Sequence, residues 1–160
     1  MSNDELDKVE LPALQKLQSL GWTYLEGSKL SPDESDERNS YKDIVLEHRL
    51  EKAIQRINPW ISEDNLRRVI SNLTRTQFSN LIEANQSIWN TITQYTSIRQ
   101  DVGKGNKDQT VKIIDFDNME NNEFLCTNQF KVSGVNQNII PDIILFVNGL
   151  PLAVIECKSP

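Results

Sequence analysis

The chain has 160 residues, a formal net charge of −6 and 38% hydrophobic residues, enough for one sizeable core or a core with an appendage. An acidic balance argues against a self-sufficient nucleic-acid clamp, and no apolar run approaches the roughly 20 residues that a membrane-spanning helix needs. The polar, acidic start Met1-Ser2-Asn3-Asp4-Glu5 excludes a cleaved secretion signal, so a cytoplasmic location is expected. Cys126 and Cys157 lie far apart on predicted strands, and with His48 as the single histidine they assemble no zinc site. Buried free thiols are the expectation.

In chain order, Pro12 suits a first helical turn, and Leu14, Leu17 and Leu20 recur until Gly21 stops the helix. Trp22-Thr23-Tyr24-Leu25 predicts a short strand, and the polar, acidic, turn-rich residues from Gly27 to Ser40 a mobile loop. From Lys42 to Ile57 the spacing of Leu46, Leu50, Ala53, Ile54 and Ile57 marks an amphipathic helix, ended by Asn58-Pro59. Ser62 caps another, with Leu66, Val69, Ile70 and Leu73 on one side. A third helix is predicted from Phe78 to about Tyr95, with Phe78, Leu81, Ile82, Trp89 and Ile92 as its buried stripe. A loop from Asp101 to Gln109 precedes strands near Thr110 to Phe116, Phe124 to Val132, Asp142 to Val147 and Leu152 to Cys157. Two basic stretches, Arg67-Arg68 and Lys104 to Lys112, read as a solvated helix face and a flexible loop.

The chemistry sits at the last two strands. Asp142 begins the apolar run Ile143-Ile144-Leu145-Phe146-Val147, and Glu156 ends the run Leu152-Ala153-Val154-Ile155, followed by Cys157 and Lys158. Both faces of both runs read apolar, which predicts central strands covered on two sides. A carboxylate there costs several kcal/mol unless something compensates, and two of them suggest a divalent cation between them. Alternation puts Glu156 and Lys158 on one face, with Leu152 and Val154. A connection of odd length through Asn148-Gly149-Leu150 would bring Asp142 opposite Glu156, and an even one would turn it away. A salt bridge at a strand end would use the same Glu-x-Lys residues, but surface ion pairs rarely interrupt doubly buried strands. Two carboxylates suit Mg²⁺ or Mn²⁺, and such an ion beside an ammonium group suits phosphodiester hydrolysis.

The stretch from Pro141-Asp142 through Asn148-Gly149-Leu150-Pro151-Leu152 to Glu156-Cys157-Lys158 resembles the nuclease signature of the restriction (motor) subunit of type I restriction enzymes. The likeness extends weakly upstream through Ile113-Ile114-Asp115-Phe116, Asn121-Asn122-Glu123-Phe124 and Asn128-Gln129-Phe130. It implies a PD-(D/E)xK nuclease, with Asp142, Glu156 and Lys158 catalytic and Asp142, Glu156 and the Cys157 backbone carbonyl binding the metal. In similar nucleases a helix before the sheet can supply another acid, which here would be Glu83; an exposed helical glutamate is the competing reading. The family also implies double-stranded DNA as substrate, methyltransferase and specificity subunits as partners, and ATP use by motor domains absent from these residues. Indeed Gly103-Lys104-Gly105-Asn106-Lys107 lacks the spacing of a phosphate-binding loop. The family continues past this point into a helix with a Gln-x-x-x-Tyr motif, and it often has a basic residue where Ile140 stands.

The expected architecture is α/β or α+β: a helical N-terminal half, residues 1–77, packed on a mixed sheet of about four strands in residues 78–160. This is a restriction-endonuclease-like core, truncated after the Glu-x-Lys strand. One compact domain overall is the other division. Two functions follow, a magnesium-dependent endonuclease module or a catalytically silent docking module that keeps the nuclease fold.

Overall fold

The computed structural model describes residues 6–74, 80–134 and 136–158. A π-helical turn, Leu6–Glu10, leads into α1, Leu11–Ser19, then β1, Thr23–Tyr24, and a 3₁₀ turn, Gly27–Leu30. Helices α2, Glu47–Ile57, α3, Glu63–Thr74, and α4, Leu81–Thr93, follow. The remaining strands are β2, Thr96–Asp101, β3, Asn106–Val111, β4, Phe124–Asn128, β5, Val132–Ser133, β6, Asn138–Ile139, β7, Ile143–Val147, and β8, Leu150–Ile155. The class is α+β. By contact the chain forms two compact units, Met1–His48 with Glu123–Pro160, and Arg49–Asn122. No described helix is long and apolar enough to cross a membrane.

The first unit is built on a four-stranded mixed sheet of order β1-β4-β7-β8, in which β1 runs parallel to β4 and the other pairs are antiparallel. Strand alternation sends the side chains of β4 and β7 to two separate cores. Leu125, Ile144 and Phe146 meet Leu30, Leu46 and Phe130 on one face, while Cys126 and Ile143 meet Leu14 and Cys157 on the other. Burying one such leucine or isoleucine contributes about 1.5–3 kcal/mol. Both cysteines are buried free thiols, as expected, and burial pushes the Cys126 thiol up from its ordinary value.

The segment expected to be a mobile loop is fastened instead. Arg38 donates from Nε to the Leu30 carbonyl at 2.8 Å and stacks over the Phe130 ring at 3.9 Å. Asp43 Oδ2 accepts the N–H groups of Asn39 and Ser40, so the chain turns there and α2 begins at Glu47, later than the apolar spacing suggested. Strand β4 also stops early, at Asn128, because Gln129 takes a left-handed conformation, φ 53°, that no ladder accommodates.

In the second unit, Leu50, Ala53, Ile54, Leu66, Val69 and Leu73 are the buried apolar positions of α2 and α3, in line with the periodicity. Two expectations are corrected there. Ile82 and Trp89 of α4 are 80% and 64% exposed, and Ile92 carries the burial. Phe78 lies outside the described residues. The strand expected over residues 110–116 is instead the antiparallel hairpin β2–β3, followed by a loop in which Asp115 is the hub. Its carboxylate accepts hydrogen bonds from Asn121 Nδ2 and from the N–H groups of Asp117 and Asn118.

Candidate active site

β7 is the doubly covered strand that the sequence predicts: Ile143 and Phe146 are fully buried and Ile144 nearly so. β8 is not. It lies at the sheet edge, with Leu152 48% and Val154 57% exposed, so the expectation of two central strands holds for one of them. Pro151 agrees with that placement, because a strand residue without an N–H is tolerated at edges and bulges.

The connection between them differs from either alternative in its means. Asn148 at φ 53° and Gly149 at φ 81° form a two-residue turn, the even-length case. Unbroken, that register would pair Asp142 with Ile155. A bulge intervenes: Phe146 pairs with Pro151 and Leu145 with Ala153, leaving Leu152 without a partner. Beyond it Ile143 faces Ile155, and the same register continued by one residue would set Asp142 opposite Glu156. The turn is locked from both sides, since Asn148 exchanges hydrogen bonds with the Glu123 main chain at 2.8 and 2.9 Å and Leu46 N–H donates to the Gly149 carbonyl.

Asp142 is 8% exposed, and its Oδ2 accepts the Cys157 N–H at 2.7 Å. No described group hydrogen-bonds its Oδ1 in the structure. Glu156 and Lys158 are exposed, while the Cys157 side chain packs with Leu14, Cys126 and Ile143. One oxygen of Asp142 is therefore held by main chain, and the Glu156 carboxylate, one residue before Cys157, is open to water. Hard oxygen donors of this kind fit a magnesium or manganese ion that keeps several waters. Among the described residues no three His, Cys, Asp or Glu side chains converge on one point.

A further carboxylate lies at this end of the sheet. Glu10 is 1% exposed, accepting from Asn128 Nδ2 at 2.7 Å and from Gln129 Nε2 at 3.1 Å. Tyr24 O–H donates to Asn128 Oδ1 at 2.8 Å, which turns the amide so that its nitrogen faces Glu10. Burial, with Glu26, Glu10 and Cys126 nearby, pushes the Tyr24 phenol above its ordinary value and keeps it a donor. Gly27 lets the chain pass close by: a Cβ there would lie 2.3 Å from the Asn128 carbonyl oxygen.

A family profile described as "Type I restriction enzyme R protein N terminus" matches residues 2–160. The chain belongs to this family. It is 37% identical over 155 residues to a protein named for the MjaIXP type I restriction enzyme endonuclease subunit of Methanocaldococcus jannaschii. It is 33% identical over 154 residues to the type I restriction enzyme HindI endonuclease subunit of Haemophilus influenzae. Each alignment covers 95% of this chain, which spans about 15% of the length of either relative.

In this R protein N terminus, Asp142 just before β7 is hydrogen-bonded to Cys157 just past β8, with Glu156 and Lys158 exposed on either side of Cys157. Glu83 lies exposed in the second unit, in the first turn of α4, where its N–H is capped by Asn80 Oδ1. Glu10 went unremarked in the sequence. The signal that could have found it is a carboxylate four and seven residues before Leu14 and Leu17, on the apolar face of its helix.

Proposed function

We propose that this chain is the nuclease region of a type I restriction subunit, in which Asp142 and Glu156 bind Mg²⁺ or Mn²⁺ and Lys158 serves the hydrolysis of DNA phosphodiester bonds. The observation that supports the reading is the bulged register in which Ile143 faces Ile155, a register that, continued by one residue, would set Asp142 opposite Glu156. The family membership and the names of the relatives support it.

Bound there, the ion supplies Lewis acidity and neutralises charge at the scissile phosphate. The protein's residues do the rest. Asp142 and Glu156 hold it from adjacent strands, and the Cys157 carbonyl adds a main-chain oxygen. Lys158, two residues beyond Glu156 and exposed like it, orients the attacking water and stabilises the charge that grows on the phosphate oxygens. Water gives up a proton to solvent as its oxygen bonds to phosphorus, a P–O bond to the sugar breaks, and the departing oxygen takes a proton from solvent. Double-stranded DNA, methyltransferase and specificity subunits, and an ATP-driven motor belong to the full-length subunit in this reading. Its acidic balance leaves most phosphate contacts to that assembly.

Calorimetric titration of the chain with Mn²⁺, beside Asp142→Ala, tests the site: binding is expected in the first and absent in the second, and binding that survives the substitution overturns it. In the intact subunit Lys158→Ala is expected to abolish cutting while ATP hydrolysis persists.

A further inference from the structure

We infer that Glu10 is a positioning residue for Asp142, acting through Gln129 and Asn128, an inference that rests on the proposed metal site. The connection is continuous. Glu10 holds Asn128 and Gln129 by their side-chain amides, the Gln129 N–H donates to the Asp142 carbonyl at 3.1 Å, and the Asp142 carboxylate holds the Cys157 N–H. Four segments distant in sequence are tied at the point where the β7 and β8 ends must stay in register.

Two features call for such a tie. Gln129 leaves β4 in a left-handed conformation, which a residue with a side chain adopts only when its surroundings impose it, and the bond to Glu10 is an imposing contact. Glu10 itself is a carboxylate buried among neutral amides, with no salt bridge to a described lysine or arginine, a placement that packing alone would not select. Both of its oxygens are engaged by amide donors and water barely reaches them, which suits a brace rather than a ligand of a hydrated ion.

The test uses the chain with Mn²⁺ as the probe, read by calorimetry, together with the amide proton of Cys157 followed by NMR without metal. Glu10→Ala is expected to weaken Mn²⁺ binding by roughly 10–100-fold, as loss of a group that orients a metal ligand commonly does. Gln129→Ala, at a half-buried position, should give a comparable loss and keeps the test open if Glu10→Ala does not fold. The double variant should add little, because the two act in series. In each, the Cys157 amide proton should move upfield as its hydrogen bond to Asp142 loosens. Wild-type affinity and an unmoved Cys157 signal in both variants would overturn the inference. A far larger loss for Glu10→Ala than for Gln129→Ala, with the Cys157 signal unmoved, would do so as well, by showing direct ligation. A chain that takes up no Mn²⁺, or an Asp142→Ala variant that binds as well as wild type, sinks the metal site instead. The Cys157 signal would still decide the brace.

Discussion

The Asp142 carboxylate accepts the main-chain N–H of Cys157 at 2.7 Å, joining the residue just before β7 to the residue two past the end of β8. A hydrogen bond to an ionised acceptor is among the stronger kinds, and here it sets the peptide between Glu156 and Cys157.

Charge and geometry at Asp142 can be separated by two substitutions. Asp142→Asn retains an oxygen for the Cys157 N–H, so the fold should persist while Mn²⁺ binding falls below detection. Asp142→Ala also leaves that N–H unpaired and should lower stability by about 1–3 kcal/mol in urea unfolding. Undiminished Mn²⁺ binding by the asparagine variant would contradict the role of the charge.

Deleting Leu152 should be tolerated. The residue removed is the one without a partner on β7, so the remaining pairs, Ile143 opposite Ile155 included, can form unchanged, and with them the register that would set Asp142 opposite Glu156. Calorimetry should find Mn²⁺ binding retained in a folded protein. Loss of binding with the fold intact would show that the bulge aims Glu156 in some way that register does not capture.

Asn148 combines a left-handed backbone with a fully buried side chain that accepts the Glu123 N–H. Asn148→Ala should therefore cost about 1–3 kcal/mol for the orphaned donor and about 1–2 kcal/mol for the left-handed strain. Asn148→Gly should cost less, since glycine accepts the positive φ. Equal losses in chemical denaturation would place the whole effect in the hydrogen bond.

Acid should loosen the loop around Asp115. The hydrogen bond from Asn121 first, then those from the Asn118 and Asp117 N–H groups and Lys112, hold its carboxyl below the ordinary value. A depressed folded pKa means that the unfolded chain takes up the proton first. The stabilisation is complete above roughly pH 4 and is lost as pH falls through the folded value. Melting temperature followed down to about pH 2 should show this decline, and Asp115→Asn should flatten it. An unchanged acid limb in that variant would assign the decline to other carboxylates.

Much of this was legible beforehand because the signals are short-range. The Asn148-Gly149 turn between two apolar runs dictates a hairpin, the spacing of Leu50, Ala53 and Ile54 dictates a helix face, and Asp142 and Glu156 stand out as charges at the ends of apolar strands. β2 was missed because Thr96-Ser97-Ile98-Arg99-Gln100-Asp101 carries a single large apolar residue.

Local pattern, then, was enough to determine the hairpin and to mark Asp142, Glu156 and Lys158 at its open end as candidates, since turn chemistry and strand alternation act over a few residues. Tertiary structure decided the rest: that β8 is an edge, that a bulge at Leu152 restores the register the turn alone would miss, and that Glu10 meets Asn128 from 118 positions away. Those outcomes depend on which surfaces remain uncovered and which distant amides a buried carboxylate can reach, and only the folded chain brings such groups within hydrogen-bonding range.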